Sequence, residues 1–337
     1  MKRYYSTLYQ YIRTDAIFRC TFVMMKPIRF ASIDIGSNAI RLLVKEFDLD
    51  NPEGEARKLQ LFRVPLRLGS DAFSEGKIGK ASRRKLIPVM RAFHEFLLLF
   101  EVESYRACAT SAMREARNRK KIIAEVRLAT GISIEVVSGE EEARLVSDIR
   151  FRYAQGDSPY VLFVDVGGGS TELNLFHGGV QLSRASFDIG TVRVLTGTVK
   201  DDAYRHFEEA LNSFKAGYSN FDVVGTGGNI NKLVRLAKEN PAYRGMRFIT
   251  YSDLKQLYDT MKGMSVEERM VAYNLKPDRA DVIVPAAEIF LHVVETLQAT
   301  GVSVPTAGLS DGIIFDLFCN YCKKHKIPLK ANEEDLL

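Results

Sequence analysis

Three glycines in a row, Gly167, Gly168 and Gly169, stand between an apolar run ending in Asp165 and the alternating stretch Thr171-Glu172-Leu173-Asn174-Leu175-Phe176. Glycine loses more backbone freedom on folding than any other residue, so three in succession need a reason. A turn of glycines and small hydroxyl residues lets backbone N–H groups converge on one anion, where side chains would block the approach. The stretch is not a Walker A loop, because no Gly-Lys-Ser/Thr follows. Nor is it a dinucleotide fingerprint, which opens a helix, whereas residues 171–176 alternate like a strand. A strand–turn–strand phosphate hairpin remains, against the plainer reading of a tight β-turn.

A second copy of the pattern lies earlier in the chain. Setting 33-IDIGSNAIRLLV-44 against 164-VDVGGGSTELNL-175 brings Asp34 onto Asp165, Gly36 onto Gly167, Ser37 onto Gly168 and Leu42 onto Leu173. We read two related domains, each giving one hairpin to a shared cleft. Asp34 and Asp165 end apolar strands, where a carboxylate is costly unless it meets a cation or hydrogen-bond donors. With Glu172, such hard oxygen ligands suit Mg2+, which keeps several waters and bridges to substrate phosphates. Arg41, Arg114 and Arg193 are of the type that grips phosphate with two parallel hydrogen bonds. A third glycine turn, Gly225-Thr226-Gly227-Gly228, follows a short strand and opens a helix, a geometry suited to an anion. Glu140, Glu141 and Glu142 read first as a solvated helix start; one of them at the mouth of a phosphate cleft would serve as the base that deprotonates water.

These residues need elements to hold them. Strand and helix patterns alternate, which argues for α/β architecture. Residues 29–34 and 40–47 read as strands around a tight turn, and 56–66 as a third. Leu86, Met90, Phe93, Leu97 and Phe100 recur at helical spacing over 81–100, with Pro88 as a potential kink. A strand at 104–109 leads into a helix that Thr110 or Ser111 would cap. Residues 132–137, 160–165, 171–177, 180–187, 221–225 and 301–304 read as further strands.

Composition limits the function classes. The chain has 337 residues, enough for two domains, and its 46% hydrophobic and 26% charged content is that of an ordinary globular protein. No apolar run approaches the roughly 20 residues of a membrane-spanning helix, so no membrane role is expected. The net charge of +5 fits an anionic partner. The five histidines are scattered without metal or triad spacing. Cys319 and Cys322, with His325 beyond, lack a second ligand pair for zinc and read as reduced cysteines one helical turn apart. Residues 1–27 read as an N-terminal extension, a gene-calling artefact or a docked helix.

Taken together, DIGSNAIRL, ATSAMREARN, SGEEEARL, DVGGGSTEL, FDIGTVRV, GTGGN, RADVIVPAAEIF and GLSDGII resemble, in that order, the exopolyphosphatase/guanosine pentaphosphate phosphohydrolases. That family lies in the superfamily of sugar kinases, Hsp70 and actin, and the resemblance covers about residues 28–320. It implies two ribonuclease-H-like domains (the actin-like ATPase fold) flanking a central cleft. Domain I would be 28–140 plus 308–322, domain II 141–307, and 323–337 a tail. It implies Glu142 as catalytic base with Glu141 as the fallback, and Asp165 and Glu172 as Mg2+ ligands. Gly36, Ser37 and Asn38, with Gly167, Gly168, Gly169, Ser170 and Thr171, would contact phosphate, as would Arg114. A cytoplasmic homodimer acting on polyphosphate or guanosine pentaphosphate is expected, with no nucleic-acid partner. The short form of the family, without the HD-like helical domain of its longer members, is expected, and 308-GLSDG-312 carries Ser310 where the family has a basic residue. A binding protein without turnover is the reading of a different class.

Overall fold

The structure, a computed structural model, describes residues 26–52, 54–142, 144–145, 160–237, 242–243, 246–305 and 308–329. The expected N-terminal extension, apart from Lys26 and Pro27, lies outside them, as does the end of the tail.

Apolar alternation builds an antiparallel meander of β1 (Ile28–Ile35), β2 (Ile40–Phe47) and β3 (Arg57–Val64). β4 (Ser104–Ala109) and β5 (Ile134–Val136) join parallel on the far side of β1, giving the order β3-β2-β1-β4-β5. The second sheet repeats this plan. β6 (Tyr160–Val166), β7 (Thr171–His177) and β8 (Val180–Phe187) form the meander. β9 (Phe221–Thr226) and β12 (Gly301–Val304) then add in parallel. Two strands absent from the sequence reading, β10 (Ala242–Tyr243) and β11 (Met246–Thr250), extend the sheet past β12. The repeat visible over a dozen residues thus runs through five strands of each sheet, and the fold is the paired ribonuclease-H-like α/β architecture.

Side chains alternate across β1, so both faces of the first sheet need cover. Ala31, Ile33 and Ile35 meet α1 (Leu68–Glu75), α2 (Lys80–Leu99), α3 (Ser111–Glu115) and α4 (Arg119–Thr130) through Leu68, Leu86, Met90, Phe93 and Ile122. Pro88 lies inside α2, which continues through it. On the other face Ile28 and Phe30 meet Phe318 and Cys322 of the C-terminal helix; Phe47 stacks on Phe318 at 3.9 Å. That helix is α12 (Leu309–His325), which follows α5 (Thr191–Thr196), α6 (Asp201–Gly217), α7 (Gly228–Leu236), α8 (Tyr251–Lys262), α9 (Val266–Tyr273), α10 (Pro277–Ala280) and α11 (Ile283–Leu297). The end of the chain therefore returns to the first sheet. Cys319 and Cys322 both lie in α12, and His325 stacks on Tyr321. Among the described residues no helix is long and apolar enough to cross a membrane.

Two local expectations change. Thr110 precedes α3 but its side chain caps nothing, and the Ser111 hydroxyl instead hydrogen-bonds the Ser37 hydroxyl at 2.8 Å. In the 308–312 turn, Asp311 accepts the Gly308 N–H at 2.9 Å and pairs with Lys45 at 2.7 Å, so this turn is closed by its own acid.

Candidate active site

The two hairpins share one turn. The Gly36 N–H donates to the Ala39 carbonyl at 3.2 Å, and the Gly167 N–H to the Ser170 carbonyl at 2.9 Å. A Cβ at Gly36 would lie 3.2 Å from Ala39 O, and one at Gly167 would lie 3.2 Å from Ser170 O. Glycine answers the same steric demand in both.

The tips of the hairpins touch. A Cβ on Gly168 would lie 2.9 Å from Ser37 Cβ, and one on Gly169 would lie 2.4 Å from Phe73 Cζ and from Ser111 Oγ. The space expected for an anion on that side of Gly168 and Gly169 is therefore filled by the first lobe. Their N–H groups, and those of Ser37 and Asn38, meet no protein acceptor among the described residues. The carbonyls are committed: Gly168 O accepts from Val192 N–H at 2.8 Å, and Ser37 O from Gly69 N–H at 2.8 Å. Four donors thus sit free at the junction of two fixed turns, the arrangement of an anion nest.

Charge separates the hairpins. Asp34 faces Arg41 across β1–β2, and the two form a salt bridge. At the equivalent positions of β6–β7, Asp165 faces Glu172. Directly opposed residues in an antiparallel pair have Cβ atoms about 5 Å apart. Two carboxylates so opposed repel each other. The Ser186 hydroxyl donates to Glu172 at 3.1 Å and relieves part of this.

Glu142 adds a third acid. Its Oε2 is buried without a hydrogen-bond partner among the described residues, and Arg114 Nη1 stands 3.7 Å away. Burial first, then the Glu172 and Asp165 charges, hold its carboxyl well above the usual carboxylate range, while Arg114 opposes the shift. Glu141 differs entirely. Its hydrogen bonds from Arg144, and then from Arg106, hold it below that range, and it points into an ion network away from the hairpins. Among the acids of this run, the cluster with Asp165 and Glu172 takes Glu142.

Arg114 donates to the Val137 carbonyl at 2.8 Å, which aims its guanidinium along Glu142. Arg193 stands elsewhere than its phosphate assignment requires. It is buried, donates from Nε to Gly169 O at 2.7 Å, pairs with Glu115, and lies 4.0 Å over the Phe73 ring. It ties the second hairpin to α1 and α3. Thr171 is likewise spent, its hydroxyl donating to Ile189 O at 2.5 Å.

The third turn is where expected, between β9 and α7. Gly227 has φ +106°, open to glycine, and a Cβ there would lie 3.0 Å from Val166 O and 3.4 Å from Asp165 Oδ1. Thr226 pairs in register with Asp165, and its buried hydroxyl has no partner among the described residues. Gly225 has a different reason, since a Cβ would strike Val302 and Phe290 at 2.7 and 2.8 Å. A Cβ on Gly228 would lie 2.9 Å from Arg279, a residue that sequence reasoning did not single out. Arg279 donates to Asn229 Oδ1 at 3.1 Å and has no carboxylate partner among the described residues. Burial, then the neighbouring Arg63 and Arg41, pull its pKa down to about 10. Its presence within the quoted RADVIVPAAEIF stretch was the available signal. Asn38 bridges the lobes by donating to Asp278 O at 3.0 Å, and Arg63 pairs with Asp278 at 2.5 Å.

Among the described residues, no three His, Cys, Asp or Glu side chains stand together as a ready metal cage. The donors still fit a hard divalent cation, because Asp165, Glu172 and the orphaned Thr226 hydroxyl converge. Mg2+ asks for only one or two carboxylates beside water and substrate oxygens.

The chain is similar to known proteins over most of its length. The profile of the Ppx/GppA phosphatase family matches residues 59–320. The chain is 26% identical over 304 residues to Exopolyphosphatase 1 of Mycobacterium tuberculosis, covering 85% of this chain and 87% of that protein. It is 26% identical over 301 residues to a guanosine-5'-triphosphate,3'-diphosphate pyrophosphatase of Vibrio parahaemolyticus, covering 86% of this chain but 59% of that protein. The crystal structure of the Aquifex aeolicus Ppx/GppA family member superposes with a TM-score of 0.67 at 27% identity, over 89% of this chain and 99% of that one.

Proposed function

This chain belongs to the Ppx/GppA phosphatase family, and from that premise we propose that it is an exopolyphosphatase, splitting orthophosphate from the end of inorganic polyphosphate. Its relatives' names make it a phosphoanhydride hydrolase. The observation that carries the mechanism is Glu142, whose orphaned Oε2 lies among Asp165, Glu172 and Arg114.

In this reading the free N–H groups of Ser37, Asn38, Gly168 and Gly169 hold the terminal phosphate oxygens, and Arg279 offsets their charge. Glu142 takes a proton from water as the water oxygen bonds to the terminal phosphorus. The bridging P–O bond breaks, and its electron pair leaves with the shortened chain. A base with raised proton affinity is suited to this near neutral pH. Arg114, 3.7 Å away, favours the ionised carboxylate. Asp165 and Glu172 would hold Mg2+, which supplies neutralisation of the charge that builds on the phosphoryl oxygens. The lobes are 28–140 with 308–322, and 141–307, and α12 packing on the first sheet supports that division. A cytoplasmic homodimer belongs to the same reading.

Guanosine pentaphosphate is the second reading, favoured by the similarity to the Vibrio protein. Both substrates end in an exposed phosphoanhydride. The relative matched over 87% of its own length is named an exopolyphosphatase, and this favours polyphosphate as the first reading. The test is phosphate release with Mg2+ from polyphosphate of several lengths, guanosine pentaphosphate and ATP. Polyphosphate should turn over fastest, with Glu142→Gln slower by about 100- to 10,000-fold and still able to bind. No release by the wild type would instead support a binding protein.

A further inference from the structure

The proposed base has no hydrogen bond of its own to aim it. Glu142 Oε2 is an orphan among the described residues, and Arg114 stands beyond hydrogen-bond range at 3.7 Å. The carboxylate must therefore be placed by the backbone that carries it. That backbone is helical at 139–142 and 144–145 and follows Ser138, whose hydroxyl and carbonyl accept the N–H groups of Glu141 and Glu142 at 3.1 and 3.0 Å. Successive residues on a helix point about 100° apart, so Glu141 faces outward when Glu142 faces the hairpins.

The outward face is held. Arg106, on β4, donates from Nη2 to Glu135 of β5 at 2.8 Å and to Glu141 at 3.3 Å, and from Nη1 to Asp316 of α12 at 3.2 Å. Arg144 donates from Nε to Glu141 at 2.8 Å and from Nη1 to Asp316 at 3.1 Å. Two guanidinium groups bridge three carboxylates from three separate parts of the chain. Isolated surface pairs contribute little, but a network of multidentate arginines fixes geometry. Arg106 and Asp316 are its inner members, at 19% and 17% side-chain exposure.

We propose that Arg106 and Asp316 are positioning residues for Glu142, acting through Glu141 to set the rotation of the segment that presents it. The inference rests on the reading of Glu142 as base. It gives the C-terminal helix a part in catalysis through Asp316.

The test is steady-state kinetics of Arg106→Gln and Asp316→Asn on polyphosphate. Both should lower kcat about tenfold with KM within about twofold, as expected when a reacting group is displaced without loss of binding. Asp316→Glu should recover most of the rate. Arg106→Gln added to Glu142→Gln should cost at most about twofold more, because residues acting as a unit are not additive. Unchanged kcat in both single variants, losses that appear in KM alone, or full multiplication of the two losses would overturn the proposal. Amide exchange supplies an arm independent of turnover: the Glu141 and Glu142 amides should exchange about tenfold faster in Asp316→Asn. Unchanged exchange would equally overturn it. Full activity of Glu142→Gln would end the functional reading instead, with the exchange arm still deciding whether the network holds this segment.

Discussion

The hairpin of β1 and β2 and the hairpin of β6 and β7 have the same turn, the same leading Asp and the same demand for its first glycine, yet they treat charge in opposite ways. Asp34 meets Arg41 across the first and is neutralised within the fold. Asp165 meets Glu172 across the second, and Glu142 stands close enough to feel both. The two hairpins thus share a shape and differ in the sign of charge at one cross-strand position. The first hairpin is complete as a structural unit. The second sets two acids against each other, which is the state expected of a working site, where local stability is given up for function.

Writing the first hairpin's pair into the second is the most severe way to break this comparison. Glu172→Arg should lower phosphate release by about 1,000-fold or more, the scale of losing a principal electrostatic contact at the reacting centre. Its thermal unfolding without divalent cation should occur above that of the wild type. Retention of a tenth of the activity would show that the opposed acids are incidental. The mirror change, Arg41→Glu, should cost about 2–4 kcal/mol in denaturant melts, because Asp34 is buried and loses its partner.

A subtler contrast lies in proton affinity. After burial, Glu172 and Asp165 do most to raise Glu142, and Asp34 does least. In a carboxyl NMR titration of the metal-free protein, Glu172→Gln should therefore lower the Glu142 titration more than Asp34→Asn does; equal shifts would contradict the comparison. Folded Glu142 holds its proton more tightly than the unfolded chain. Stability is therefore lost as pH rises from the ordinary carboxylate range through the raised value. Glu142→Gln should remove that slope.

Local pattern was enough for the strands, the hairpins and the paired Asp-x-Gly turns, because alternation and glycine are read over a few residues. The choice between Glu141 and Glu142 was not legible, since it depends on Arg106 and Asp316, distant in sequence. Arg193 looked like a phosphate ligand until its partners Phe73, Glu115 and Gly169 were brought to it by the fold. Arg279 was missed for the converse reason: it becomes a site residue only where α10 meets the third glycine turn. The short strands β10 and β11 have too little periodicity to announce themselves. At Gly168 and Gly169 the absent side chains make room for the other lobe, a contact that local sequence could not show.

The most direct test of the central claim is calorimetric titration of Mg2+ into the metal-free wild type, Asp165→Asn, Glu172→Gln and Asp34→Asn. The account predicts binding to the wild type and to Asp34→Asn, and its loss in Asp165→Asn and Glu172→Gln. Equal binding by all four proteins would contradict it.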